Sequence, residues 1–129
     1  MDKNDSRQRK ILVVDDEGDL LKLAKIRLET SGYKVVAIDR GDRAVEVAKA
    51  ERPDLILLDT VMPGKSGPEV CKELKAEKAT RGIPVIIFTA HYPEEEGVRI
   101  SYKDIGADDY ILKPFEADKL LAKIRMLIK

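Results

Sequence analysis

The sequence predicts a doubly wound α/β domain, a five-stranded parallel sheet with helices on both faces in (βα)5 order. Three observations predict it. Short apolar runs rich in Val and Ile recur without polar alternation, as strands covered on both faces require. Segments of helical period separate them. Strand and helix alternate throughout, and right-handed crossovers turn that order into a parallel sheet.

The first strand is Ile11-Leu12-Val13-Val14. The helix after it spans 18–31, with Leu20, Leu21, Ala24 and Leu28 on one face and Gly32 as its stop. Val35-Val36-Ala37-Ile38 is the second strand, and 42–51, which groups Ala44, Val45 and Ala48, the second helix. Leu55-Ile56-Leu57-Leu58 is the third strand, and 67–78 the third helix, with Val70, Cys71 and Leu74 together. Val85-Ile86-Ile87-Phe88 is the fourth strand. The segment Pro93–Ile105 reads as a short, marginal helix: Val98 and Ile105 share a face, but Gly97 lies early in it. Tyr110-Ile111-Leu112 is the fifth strand. From Glu116 to the end, Leu120, Leu121, Ile124, Leu127 and Ile128 repeat at helical spacing.

A chain of 129 residues fits one domain, and 43% hydrophobic content suffices for its core. Residues 1–9 are polar and read as a flexible leader, leaving 10–129 as the domain. Lys plus Arg and Asp plus Glu number 24 each, a balance that argues against direct nucleic-acid binding or a membrane surface. No apolar run is long enough to serve as a signal peptide or to span a bilayer. The single Cys71 offers neither a disulfide nor a Cys-based zinc site. A soluble protein of the cytoplasm is expected.

In open α/β sheets, ligands gather at the carboxyl ends of the strands, where strand order reverses. The first strand delivers Asp15-Asp16-Glu17 to that rim, the third Asp59-Thr60, the fourth Thr89-Ala90 and the fifth Lys113-Pro114. Alone, each residue is ordinary: Asp15 and Asp16 serve equally well as caps for the next helix. Convergence changes the reading, because three like charges in one crevice repel and need a cation. Oxygen ligands favour Mg²⁺ over zinc or copper. Such a cation, with a Lys and a hydroxyl opposite, suits a transferring phosphoryl group.

With their surroundings, these residues resemble the receiver domain of two-component response regulators, a flavodoxin-like fold. The resemblance rests on Ile11 to Glu17, Asp54 to Asp59, Met62-Pro63-Gly64, Thr89-Ala90, Gly106 to Tyr110 and Lys113-Pro114-Phe115. It covers nearly the whole chain from Lys10 onward. It implies that Asp59 accepts a phosphoryl group from a sensor histidine kinase or phosphotransfer protein. It implies that Asp16 binds Mg²⁺ directly and Asp15 through water, with Asp59 and the Val61 carbonyl completing the protein's ligands. Lys113 would pair with Asp59 and then with a phosphoryl oxygen. Thr89 and Tyr110 would be the switch residues, and a cis bond would precede Pro114. A downstream effector or a fused output domain would read the switch. The stretch Tyr92 to Gly97 is slightly longer than the family pattern, which bears on the output face. Val61 and His91, two residues beyond Asp59 and Thr89, would influence how long the phosphoryl group survives.

Elsewhere the plain readings prevail. His91 reads as an exposed loop residue, Cys71 as core, Glu94-Glu95-Glu96 as a solvated helix start, and Arg7, Arg9 and Lys10 as solubilising charges. Two other functions compete. A haloacid-dehalogenase-type aspartyl-phosphate phosphatase wants a second Asp two positions after the nucleophile, where this chain has Val61. A phosphate-independent docking module would lack one of the acids or the Lys, and none is missing. The expected protein is therefore a switch and not an enzyme with a separate substrate.

Overall fold

Each apolar run becomes a strand, and the helical periods among the described residues fold onto the two faces they define. The computed structural model describes residues 8–89 and 105–128. In chain order the elements are β1 (Lys10–Val14), α1 (Gly18–Thr30), β2 (Lys34–Ile38), α2 (Ala44–Glu51), β3 (Leu55–Asp59), α3 (Gly67–Ala76), β4 (Val85–Thr89), β5 (Asp109–Leu112) and α4 (Ala117–Leu127). All pairings are parallel, in the order β2-β1-β3-β4-β5. The chain steps outward from β1 to β2, then back past β1 to β3. The reversal therefore lies between β1 and β3, and the pair Val14↔Leu58 sets Asp15 and Asp59 just beyond the same rim.

Strand residues alternate between two cores. Leu12, Val14, Ile56, Leu58, Val85 and Ile87 pack against α2 and α3 through Ala44, Ala48, Val70, Cys71 and Leu74. Ile11, Val13, Leu55, Leu57, Ile86 and Phe88 pack against α1 and α4 through Ala24, Leu28, Leu120, Leu121 and Ile124. The β2 residues Val35–Ile38 are only half-buried, because β2 is an edge strand. On α1, Ala24 and Leu28 carry the burial while Leu20 and Leu21 lie at its margin.

Helix ends follow local chemistry. Gly32, at φ 98°, ends α1 and sends its N–H back to Glu29. A three-residue 3₁₀ turn, Gly41–Arg43, leads into α2. Ser66 and Glu69 form a capping box at the start of α3, which stops at Ala76, two residues before the expected end. The expected helix over Pro93–Ile105 lies outside the described residues except for Ile105, which is buried in the first core. His91, Glu94-Glu95-Glu96, Arg7 and most of the leader lie outside them as well. No helix among the described residues is long and apolar enough to cross a membrane.

The amino ends of the strands are tied by side chains. Lys75 Nζ on α3 donates to the carbonyls of Arg81 and Ile83 at 3.3 and 2.8 Å and to Asp108 Oδ2 at 3.2 Å. Asp108 Oδ2 also accepts the Val85 N–H at 2.8 Å, joining the starts of β4 and β5. Asp54 Oδ2 accepts the Lys10 N–H at 2.8 Å, and Lys10 Nζ reaches the Glu51 carbonyl and carboxylate at 3.0 and 3.1 Å. Arg9 pairs with Asp54 at 3.8 Å. Lys10 and Arg9 are thus structural ties, a correction to their reading as solubilising charges. Spacing alone could not show that β1 and β3 begin side by side.

Candidate functional site

Asp15 follows β1 directly and is fully buried. Its N–H donates to the Ile38 carbonyl at 3.1 Å, and its Oδ1 accepts the Glu17 N–H at 2.9 Å. Glu17 occupies the cap position of α1 without a side-chain cap bond, so neither Asp15 nor Asp16 caps the helix. Asp16 is exposed and faces the cleft above the sheet.

Asp59 ends β3 and is 6% exposed. Its Oδ1 accepts the Thr60 N–H at 2.8 Å, while the Thr60 hydroxyl donates to the Phe88 carbonyl on β4. Behind it stands Gly67, the first residue of α3. A Cβ there would lie 2.0 Å from the Asp59 carbonyl oxygen, so only glycine lets α3 approach this closely. The Gly67 N–H fixes the Thr60 carbonyl at 2.8 Å.

Lys113 comes from beyond β5, ahead of a cis bond to Pro114. Its ammonium lies 3.0 Å from Asp59 Oδ1, 3.1 Å from Asp15 Oδ2 and 3.1 Å from Glu17 Oε1. A cleft of about 390 Å³ is lined by Asp16, Glu17, Asp59, Thr60, Val61, Thr89 and Lys113. Asp15, Asp16, Asp59, Val61, Thr89 and Lys113 are therefore in one place, while Ala90 and His91 lie outside the described residues. Tyr110 pairs with Ile87 across the β4–β5 ladder and lines a separate cleft of about 470 Å³ between β5 and α4, where Lys123 Nζ sits 5.9 Å from its ring centroid. Glu17 is the residue that sequence reasoning missed. Its place beside Asp15-Asp16 was visible, but nothing in the spacing showed that its side chain turns back onto Lys113.

Burial pushes the Asp59 carboxyl up to about 6, with Asp15 adding to the rise and Lys113 and the Thr60 N–H opposing it. Burial alone would lower Lys113, but its contacts with Asp59, Glu17 and Asp15 outweigh that, and its pKa is held above the ordinary lysine range. The donor set suits a hard divalent cation. Asp15, Glu17 and Asp59 can each bring a carboxylate oxygen within 4.8 Å of the others. Asp15 Oδ2 is buried and, although near Lys113, accepts no hydrogen bond, so it retains a free lone pair for a metal.

A family model described as the response regulator receiver domain matches residues 11–125. The phosphate regulon transcriptional regulatory protein PhoB of Escherichia coli is 43% identical over 121 residues, covering 94% of this chain and 52% of its own. The alkaline phosphatase synthesis transcriptional regulatory protein PhoP of Bacillus subtilis is 39% identical, covering 94% and 49%. The chain thus spans about half the length of the curated relatives it matches. Among solved structures, the chemotaxis response regulator CheY4 of Vibrio cholerae superposes with a TM-score of 0.85 at 27% identity, covering 95% of this chain and all of that one. The receiver domain of the sensor histidine kinase PA1611 from Pseudomonas aeruginosa, with magnesium coordinated in its active-site cleft, gives 0.86 at 30% identity, covering 95% and 98%.

Proposed function

The chain belongs to the response regulator receiver domain family of two-component signalling, and from that premise we propose that Asp59 is its phosphoacceptor. One observation carries this reading: a strand-end carboxylate, buried beside Asp15, has a lysine ammonium at 3.0 Å. With its pKa near 6, Asp59 is mostly ionised at neutral pH and ready to attack phosphorus. An Asp59 oxygen forms the new P–O bond as the bond from phosphorus to the donor breaks, and the donor leaves with that electron pair. The donor is a phosphohistidine on a sensor kinase or phosphotransfer protein. Lys113 orients the carboxylate and then pairs with a phosphoryl oxygen. Thr89, on the neighbouring strand end, hydrogen-bonds the same group. Tyr110 follows, and that movement is the switch an effector or fused output domain reads.

Asp15, Asp16, Asp59 and the Val61 carbonyl are the residues that would hold Mg²⁺, as the free Asp15 oxygen and the oxygen-rich cleft support. The ion would supply charge neutralisation between the carboxylates and the phosphoryl oxygens. Residues 10–129 form the receiver unit, which promotes only its own phosphorylation and dephosphorylation. A cytoplasmic setting suits this chemistry and the buried free thiol of Cys71. The test is incubation with Mg²⁺ and acetyl phosphate, then mapping of the acyl phosphate by mass spectrometry. Label on Asp59, absent from Asp59→Asn, is expected; full labelling of Asp59→Asn would defeat the assignment.

A further inference from the structure

Glu17 lies in the cleft near enough to join the carboxylate cluster, yet it is not among the residues proposed to hold Mg²⁺ or the phosphoryl group. Its Oε1 accepts a hydrogen bond from Lys113 Nζ at 3.1 Å. The same ammonium lies 3.0 Å from Asp59 Oδ1 and 3.1 Å from Asp15 Oδ2, so three carboxylates crowd around one positive charge. What holds those carboxylates differs. The Asp15 and Asp59 side chains are 1% and 9% exposed, and a backbone N–H fixes one oxygen of each. The Glu17 side chain is 64% exposed and makes no cap bond to its own helix. It is the partner that can let go.

We propose that Glu17 is a positioning residue that restrains phosphorylation of Asp59 by occupying one Lys113 donor and setting negative charge at the mouth of the cleft. The proposal rests on Asp59 being the acceptor. A phosphoryl oxygen arriving there must displace a carboxylate from around the ammonium, and Glu17, exposed and hydrogen-bonded to it, is the one free to yield. The exposed charge also repels the anionic donor on approach, an effect that salt screens within about 10 Å at 0.1 M ionic strength. The two effects act in the same direction.

Glu17→Gln keeps the shape and removes the charge. Wild type and variant are each titrated with Mg²⁺, then given acetyl phosphate at saturating Mg²⁺, and the acyl phosphate is followed by acid-quenched mass spectrometry. The variant is expected to react about two- to fivefold faster at low ionic strength, the scale of one exposed ion pair, with the gain shrinking as salt rises. An equal or slower rate, or a gain indifferent to salt, overturns the proposal. So does a loss of Mg²⁺ affinity of about tenfold or more, which would make Glu17 a support of the metal site instead of a restraint. Label on wild-type Asp59 with no faster Glu17→Gln defeats this inference alone. Absence of label at Asp59 in both proteins defeats the acceptor assignment, and this inference with it.

Discussion

The backbone N–H of Lys113 donates to the Thr89 carbonyl at 2.8 Å, carrying the β4–β5 ladder one step past Leu112. The ammonium that reaches Asp59 and the hydroxyl on β4 therefore ride on hydrogen-bonded strand ends. A displacement of one is felt by the other.

Beryllofluoride, a phosphoryl mimic, is accordingly expected to change amide exchange at Lys113, Thr89 and Tyr110. Amides at the amino ends of the strands, such as Val85 and Lys10, should keep their protection. Exchange changes confined to the segments around Asp15 and Asp59 would contradict a switch through β4 and β5.

Lys113→Met would leave Asp15 and Asp59 buried together without their counter-charge. Without metal at pH 7 it should lose about 2–3 kcal/mol, less than a fully enclosed pair because Glu17 and the cleft mouth are solvated. Urea titrations in chelator measure this, and unaltered stability would show that the ammonium does not offset the repulsion.

Asp59 also makes stability depend on pH. Its folded-state pKa of about 6 lies above the ordinary 3.8, so folding favours the protonated form. That contribution is fully present below about pH 4 and is lost as pH rises through 6. Asp59→Asn should therefore gain on the wild type between pH 4 and 7 in metal-free buffer, and Mg²⁺ should narrow the gap. Urea midpoints at stepped pH test it; a constant difference would argue against the raised pKa.

Much of this was readable beforehand because buried parallel strands must be apolar on both faces. Ile11–Val14 and Leu55–Leu58 announce themselves, and the polar residues after them mark the rim. Pairings that depend on three-dimensional neighbours were not readable. Glu17 turns toward a residue 96 positions away, and Lys75 looks like one more exposed helix charge until Asp108 and Ile83 are seen beside it. The half-exposure of β2 was hidden for the same reason, since apolar content does not say which strand lies at an edge.

Gly67→Ala would force a methyl against the Asp59 carbonyl, 2.0 Å away. A loss of about 1–3 kcal/mol is expected, with slower labelling of Asp59 because the carboxylate shifts with its backbone. Gly82→Ala, where a Cβ meets nothing within 4 Å, is the control and should melt near the wild type. Equal thermal midpoints for the two variants would show that the close approach is easily relieved.

Val61 is 76% exposed at the cleft mouth and cannot hydrogen-bond the water that hydrolysis needs in line with the phosphorus. Val61→Asn should hasten decay of the Asp59 acyl phosphate by about threefold or more, a floor well below the full effect of a positioned proton-transfer group. Decay timed after removal of donor decides it, and an unchanged or slower rate would refute the water-positioning role.

Asp54 and Lys10 fasten the starts of β1 and β3 to each other, and Asp108 with Lys75 fastens those of β4 and β5. Strands fastened at those ends resist sliding past one another. Displacement on phosphorylation is therefore expected to be smallest at the fastened ends and largest where Asp59, Thr89 and Lys113 stand. The sheet thus has one fastened end and one end where the proposed ligand-binding residues gather, and a signal set off at Asp59 starts at the end away from those ties.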